Sequence, residues 1–473
     1  MSGQTTTSIL ADFVASIDYA DLPETLVRRV ARQCLDLVGV ALAGSDEPAV
    51  RAVRRLADAP GDASVWGTPG TARAADAAFA NATAGHALDF DDMWLPGAHP
   101  TAPIFPAAFA VAEVNGSTGQ DLIAAQAAGY EVMGRLHSAV SGRLGWHPTG
   151  VFGTLGAAAA ASRLLGLSGA ETATAFGIAS SMASGIDGQS GTMTKPLHAG
   201  LAAQSGVRAA LLAADGFTAT ETAFEGRRSF FASFFPAVTP QTWRLTSALG
   251  SSYYPLNPGI GIKMYPAGYY MHQSFEAALS IAASEDLAAD DVSSIRIAVP
   301  GKRFDRQFPR ASLDAKFSVQ YMAAMAVLYR RLDADLFDEG IVFSDPVRAL
   351  LSRITAYEER GLPDNPDIAH NPVTISCRDG REFTASVTMP KSHWNYPLPR
   401  QAWIAKFRAN ASRALTDPAI DGLIDGFDHL EQAPDVTHIA KLLRPGQSSN
   451  SLSRTDPWFP AHVTAGTGGE QDL

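Results

Sequence analysis

Apolar residues fall at Leu26, Val30, Cys34 and Val38. This spacing lays one stripe along a helix from Pro23 and leaves Arg28, Arg29 and Arg32 for the solvent side. The same periodicity, richer in Ala and Gly, predicts helices over 72–86, 104–113, 122–133, 151–165, 170–183 and 199–214. Side chains this small let neighbouring helices approach closely. Strand patterns are nearly absent before residue 290. There the pattern changes: Ser294 to Val299 (SIRIAV) alternates as a strand does. Further on, VTISC and EFTASVTM flank Arg378-Asp379-Gly380-Arg381, and the Asp-Gly pair predicts a hairpin turn. Helical stretches over 272–283 and 318–331 lie between these strands. After Leu398, WIAKFRANASRAL and IAKLLR return to helical spacing. The pattern therefore predicts a mainly α protein with a smaller α+β unit inserted in it. The expected boundaries are a helical domain over 1–265, the α+β unit over 266–397, a return to the helical domain over 398–446 and a flexible tail over 447–473. No solenoid-type repeat is visible.

Composition narrows the function. A chain of 473 residues is long enough for two or three domains. With 46% hydrophobic and 18% charged residues it has an ordinary soluble protein's means of building a core. The net charge of −11 argues against a nucleic-acid partner, since no basic surplus exists to neutralise phosphates. It leaves room for a small acidic substrate in a locally cationic pocket. Two cysteines, Cys34 and Cys377, exclude a disulfide scaffold and a four-thiolate iron–sulfur cluster. Cys34 lies on the apolar stripe and is expected in the core. No secretory signal is visible at the N-terminus, and the small-apolar run Ala157 to Ala161 is far too short for a membrane span. A cytoplasmic protein without a membrane partner is expected.

Several entry points to known chemistry are missing. There is no P-loop, no strand–GxGxxG–helix unit, no GxSxG and no HExxH. Six loop-like segments remain. His86 to His99 holds His86, Asp89, Asp91, Asp92 and His99; its aspartates suit helix caps and Asx turns, its carboxylates and imidazoles a metal. The other segments supply cations rather than further carboxylates, which counts against the metal. His147, in Gly145 to Gly150, precedes a small-residue helix whose N-terminus disfavours an imidazolium and attracts anions; Thr149 could cap it. Lys195 sits in a Gly-, Thr- and Pro-containing loop just before a helix expected from Leu197. Lys263 precedes His272 on the next helix. Phe317 to Tyr321 reads equally as an aromatic helix start packed on a core, and Lys391 to Trp394 as a basic loop. Together, His99, His147, His272, Lys195 and Lys263, with Asp89 to orient an imidazole, suit a di- or tricarboxylate substrate and acid–base work near neutral pH. No covalent nucleophile or redox group is required.

The segments HALDFDD with HPTAPIFPAAFAVAE, GWHPTGVFGTLGAAAAASRLLGLS, GTMTKPLHAGLAAQSGVRAALLAADGFTA, IKMYPAGYYMH, FSVQY and MPKSHWNYPLPRQAWIAKF, in this order, resemble the MmgE/PrpD family over nearly the whole chain. The resemblance implies a homodimer whose subunits have a large all-helical domain with an inserted smaller α+β lid domain, the active site between them, and neither cofactor nor metal. Carried over by motif, the site would be Asp89, His99, His147, Lys195, His272 and Tyr321. The implied activity is a lyase acting on a polycarboxylate, by dehydration of a 2-methylcitrate-like substrate or decarboxylation of a cis-aconitate-like one. Lys195, with His99 and Lys263, would hold carboxylates, His147 or His272 would move a proton, Asp89 would orient a histidine, and Tyr321 would donate to a leaving hydroxyl or a carboxylate. An epimerase of a dicarboxylate such as iminodisuccinate is the alternative, although His147 stands where the epimerase carries a tyrosine. A non-catalytic carboxylate-binding homologue is the other. Two departures bear on the substrate: Met93 stands where members often have Thr, and Arg227 and Arg228 fall in a segment that usually follows a Gly-Phe pattern.

Overall fold

The computed structural model describes residues 4–445 except 58–59, 95–96, 141–144, 302–304, 364 and 366. The tail expected over 447–473 lies outside the described residues. The long helices of the first half form where the periodicity places them, with ends extended by local chemistry. Gly119–Ser138 starts at a capping box of Thr118 and Asp121, and Gly169–Met182 at one of Ser168 and Glu171. Ala74–Ala87, Thr101–Asn115, Pro148–Leu164 and Thr194–Ala214 complete the bundle. Their small residues are used as expected. A Cβ added at Gly129 would lie 2.9 Å from the Gly156 carbonyl, and one at Gly156 would lie 2.9 Å from that of Gly129. The Gly119–Ser138 and Pro148–Leu164 helices cross at that point, backbone against backbone.

Two principal apolar cores form. The larger takes in helices from Leu10 to the Ile262 region and, from the far end of the chain, Trp403, Phe407, Ile420, Phe427 and Ile439. The second is built from Tyr265 to Cys377. Its sheet runs in the order Ile354–Glu358, Val292–Val299, Val373–Cys377, Glu382–Ala385, with the first pair parallel and the others antiparallel. Val373, Ile375 and Cys377 face the core in strict alternation. Gly380, at φ 91°, turns the Asp-Gly hairpin. The helices Tyr269–Ser284 and Val319–Tyr329 cover this unit.

Four features differ from the sequence reading. Thr194–Ala214 begins early enough to carry Lys195 in its first turn. Helices Pro48–Leu56 and Asp417–Asp428 each start with a proline in the first turn, where its missing N–H has no cost. The strand Ile354–Glu358 buries Ile354 alone, so it shows no alternation to read. The two-residue strands Met93–Trp94 and Ile260–Gly261 pair antiparallel and are too short for any pattern, yet they tie the site loop to the start of the second unit.

Candidate active site

A cavity of about 360 Å³ opens where the two cores meet. Asp89, Met93, His99, His147 and Lys195 line it from the helical side, and Lys263, Tyr269, Arg306 and Phe317 from the other.

Asp89 organises this cavity. The Ala74–Ala87 helix ends there, and Asp89 takes the left-handed backbone (φ 51°) that usually falls to glycine after a helix C-terminus. Glycine would satisfy the turn but not what the carboxylate does. Its Oδ1 accepts from Lys195 Nζ at 2.9 Å and from Lys263 Nζ at 2.6 Å. Lys263 also donates to the Asp89 carbonyl, 2.9 Å away, and has no exposed surface. Burial alone would raise the Asp89 carboxyl, but the two ammonium groups hold it well below the usual carboxylate range.

The neighbouring aspartates have separate tasks. His86 Nδ1 lies 2.9 Å from Asp91 Oδ2. His99 Nδ1 faces two acceptors, Asp91 Oδ2 at 3.2 Å and the Asp92 carbonyl at 2.8 Å. That nitrogen therefore carries the proton, and Nε2, 3.8 Å from Asp89 Oδ1, presents a lone pair. Burial and the adjacent lysines push His99 below its ordinary value, and burial takes His86 down to about 3, so both rings are neutral near pH 7. Asp92 instead accepts from Thr101, through both its backbone N–H and its hydroxyl, at the start of the Thr101–Asn115 helix.

His147 is the residue before the Pro148–Leu164 helix, and its backbone N–H donates to the Gly185 carbonyl at 3.0 Å. Thr149 does not cap this helix; its hydroxyl accepts from the His99 N–H at 3.1 Å and so joins two site loops. The His147 ring stacks on His86, 5.6 Å between centroids at 18°, and burial drives it well below the ordinary histidine value. Its Nδ1 lies 3.1 Å from His198 Nδ1, which leaves Nε2 for a substrate.

Asp89, His99, His147, Lys195, Lys263 and Met93 are thus brought together. Met93 lines the cavity and packs with Tyr269 and Trp394. The structure does not bring His272 or Tyr321 to it. His272 is fully buried with both nitrogens engaged: Nε2 donates to the Ala267 carbonyl at 3.1 Å and Nδ1 accepts from Ser392 Oγ at 2.8 Å. Ser392 Oγ in turn accepts from the Met264 N–H, so His272 braces the backbone beside Lys263. Tyr321 donates to the Leu336 carbonyl inside the second core. Both were expected to meet substrate, and neither lines this cavity. Arg227 and Arg228 are exposed and do not line the cavity.

Three participants were not singled out in the sequence. Arg306 faces the cavity, paired with Asp314 and 5.3 Å over the Phe317 ring, in a stretch without periodicity. His198 shares a helix face with Lys195 at a three-residue spacing, which is the one signal that could have found it. Lys406 reaches the site loop from the far end of the chain, donating to the Phe90 carbonyl at 2.9 Å.

Ligand atoms of His86, Asp89, Asp91 and His99 lie within 4.8 Å of one another, making this the candidate cation cluster among the described residues. Lys195 and Lys263 already hold Asp89, and a dication there would stand beside two ammonium groups. The same lysines suit an anion.

The architecture and cavity define a class: a helical protein with a smaller α/β unit, whose shared cleft combines neutral imidazoles with cations. The particular family follows from comparison with known proteins. Residues 8–242 match the MmgE/PrpD N-terminal domain and residues 265–424 the MmgE/PrpD C-terminal domain, so the chain belongs to the MmgE/PrpD family. Its relatives include cis-aconitate decarboxylase of Homo sapiens, 31% identical over 94% of this chain and 96% of that protein. Cis-aconitate decarboxylase of Mus musculus is 30% identical over 95% of each chain. The Aspergillus terreus protein of that name is 25% identical over 92% of this chain and 95% of its own.

Proposed function

We propose that this chain is a cofactor-independent carboxy-lyase that decarboxylates a cis-aconitate-like tricarboxylate. The observation that carries the reading is that one cavity is lined by two cations, Lys195 and Arg306, each 5.3 Å from the Phe317 ring, together with the neutral rings of His99 and His147. Two cations hold two carboxylates and orient the third toward the apolar wall of Met93 and Tyr269. The C–C bond to that carboxylate breaks, carbon dioxide leaves, and the electron pair stays on the substrate, conjugated with its alkene and remaining carboxylates. Lys195 and Arg306 stabilise this charge in place, without reorganisation. His147 Nε2 delivers the proton that quenches the carbanion. His99, fixed by Asp91 and Asp92, shapes the wall beside the cations, and Asp89 holds Lys195 in register.

The relatives' shared name supports decarboxylation over the dehydration of a 2-methylcitrate-like substrate, which would use the same groups with His147 as a base. His147→Ala tests the reading. Loss of cis-aconitate turnover by about 10²-fold or more, with KM changed little, is expected; altered affinity in a protein that never turns the substrate over would make it a binding homologue. The dimer implied by the family belongs to this reading and is checked by light scattering. No helix among the described residues is long and apolar enough to cross a membrane.

A further inference from the structure

His147 and His198 meet through the same ring atom, Nδ1 to Nδ1, at 3.1 Å. Two lone pairs do not bond, nor do two N–H groups, so a neutral pair must hold opposite tautomers. If His147 carries the shared proton, its Nε2 is bare and it is a base. If His198 carries it, His147 is protonated at Nε2 and is an acid. The partner therefore decides which chemistry His147 offers to the cavity.

The pair's seat is built for this contact. Gly185 has φ +112°, and a Cβ there would lie 3.0 Å from His198 Cγ. A Cβ at Gly150 would lie 3.2 Å from His198 Cβ and 2.5 Å from the Ser184 carbonyl. The Gly185 carbonyl also holds the His147 backbone. Both rings are thus fixed by one turn, between the starts of two helices. The groups that face them are Lys195, on both, with His86 and His99 on His147; each disfavours a positive charge on the pair.

We propose that His198 is a positioning residue that donates its Nδ1–H to His147, holding His147 in the Nε2–H tautomer that protonates the substrate carbanion. This rests on the decarboxylase reading, since decarboxylation consumes a proton where dehydration first removes one. As the Nε2 proton of His147 moves to carbon, the shared proton crosses to His147 Nδ1 and one from solvent enters at His198 Nε2. Neither ring passes through an imidazolate. Exchange with water then restores the starting tautomers.

The experiment is ring ¹⁵N NMR of histidine-labelled protein without substrate, joined to kinetics of His198→Ala and His198→Gln on cis-aconitate. The expected wild-type spectrum shows His147 protonated at Nε2 and bare at Nδ1, with His198 the reverse. His198→Ala lowers kcat about 10- to 100-fold with KM within about threefold, a fraction of what general acid catalysis supplies. His198→Gln, whose amide N–H can still donate to Nδ1, recovers most of it. A wild-type His147 protonated at Nδ1 overturns the proposal, as does an unchanged kcat in folded His198→Ala. If His198→Ala does not fold, the wild-type spectrum and His198→Gln decide. Wild-type protein that shows this tautomer pair but does not act on cis-aconitate supports the pairing and overturns the decarboxylase reading instead.

Discussion

Replacing Lys406 by methionine tests how the end of the chain supports a site formed near its beginning. Lys406, on the Arg400–Ala411 helix, donates to Asp36 Oδ2 at 2.8 Å and to the Phe90 carbonyl at 2.9 Å. Its ammonium group also lies 4.1 Å over the Phe90 ring. Lys406 is 7% exposed and Asp36 1%. Methionine keeps the length and removes the charge, which leaves a buried carboxylate without its cation and a buried carbonyl without its donor. Breaking one side of a buried pair costs about 3–5 kcal/mol, a large share of a typical domain's total of about 5–15 kcal/mol. Asp36→Leu alone strands Lys406 and should cost a similar amount. The double variant removes both members of the pair and leaves the Phe90 carbonyl without its donor, at about 1–3 kcal/mol. The two changes should therefore be strongly non-additive. Urea unfolding of the four proteins at pH 7 gives the comparison, with m values checked for constancy. A double variant that loses the sum of the single losses, or a Lys406→Met variant within about 1 kcal/mol of wild type, would refute the reasoning. Because Phe90 follows the left-handed Asp89, Lys406→Met should also lower kcat.

Arg306→Gln should raise KM for a tricarboxylate by about 10-fold or more, the worth of a charge-assisted hydrogen bond, and change it far less for a dicarboxylate; equal effects would remove Arg306 from recognition. The fold should be acid-labile. Burial takes His86, His137 and His272 down to about 3 from an ordinary 6.5, so they stay neutral in the fold while the unfolded chain takes up protons. Stability is therefore lost as pH falls below about 6.5, by up to about 1.4 kcal/mol per pH unit for each ring, until pH nears 3. His137, stacked on Phe152, is the simplest case, and His137→Phe should flatten the dependence of the urea midpoint between pH 7 and 4. Dialysis against a chelator should leave activity unchanged; a loss restored by one divalent metal would place that metal among His86, Asp91 and His99.

Much of the helical framework is legible in the sequence because its signal is local. The stripe of Leu26, Val30, Cys34 and Val38 and the Ala-rich runs state their period directly, as does the alternation of Val373, Ile375 and Cys377. What sequence reading misses has no period. Ile354–Glu358 is an edge strand with one buried residue, and the Met93–Trp94 pairing spans two residues. In the site, Asp89, His99, His147, Lys195 and Lys263 stand out because polar, titratable groups in Gly- and Pro-containing loops serve a core poorly. His272 and Tyr321 lie in similar motifs, but their polar atoms are used inside the second unit, a distinction only three-dimensional partners reveal. Lys406 is the converse: a lysine on an ordinary helix pattern, it is buried because Asp36, 370 positions away, receives it.

In the proposed reaction the cleft binds a tricarboxylate and protonates the carbanion left by carbon dioxide. Proton NMR of the purified protein in heavy water, with cis-aconitate, 2-methylcitrate, citrate and iminodisuccinate supplied in separate reactions, tests it directly. Cis-aconitate alone should lose a carboxylate, and its product should carry deuterium at the carbon His147 protonates, with the rate lowered by about 10²-fold or more in His147→Ala. Dehydration of 2-methylcitrate without decarboxylation of cis-aconitate, or no change in any of the four, would contradict it.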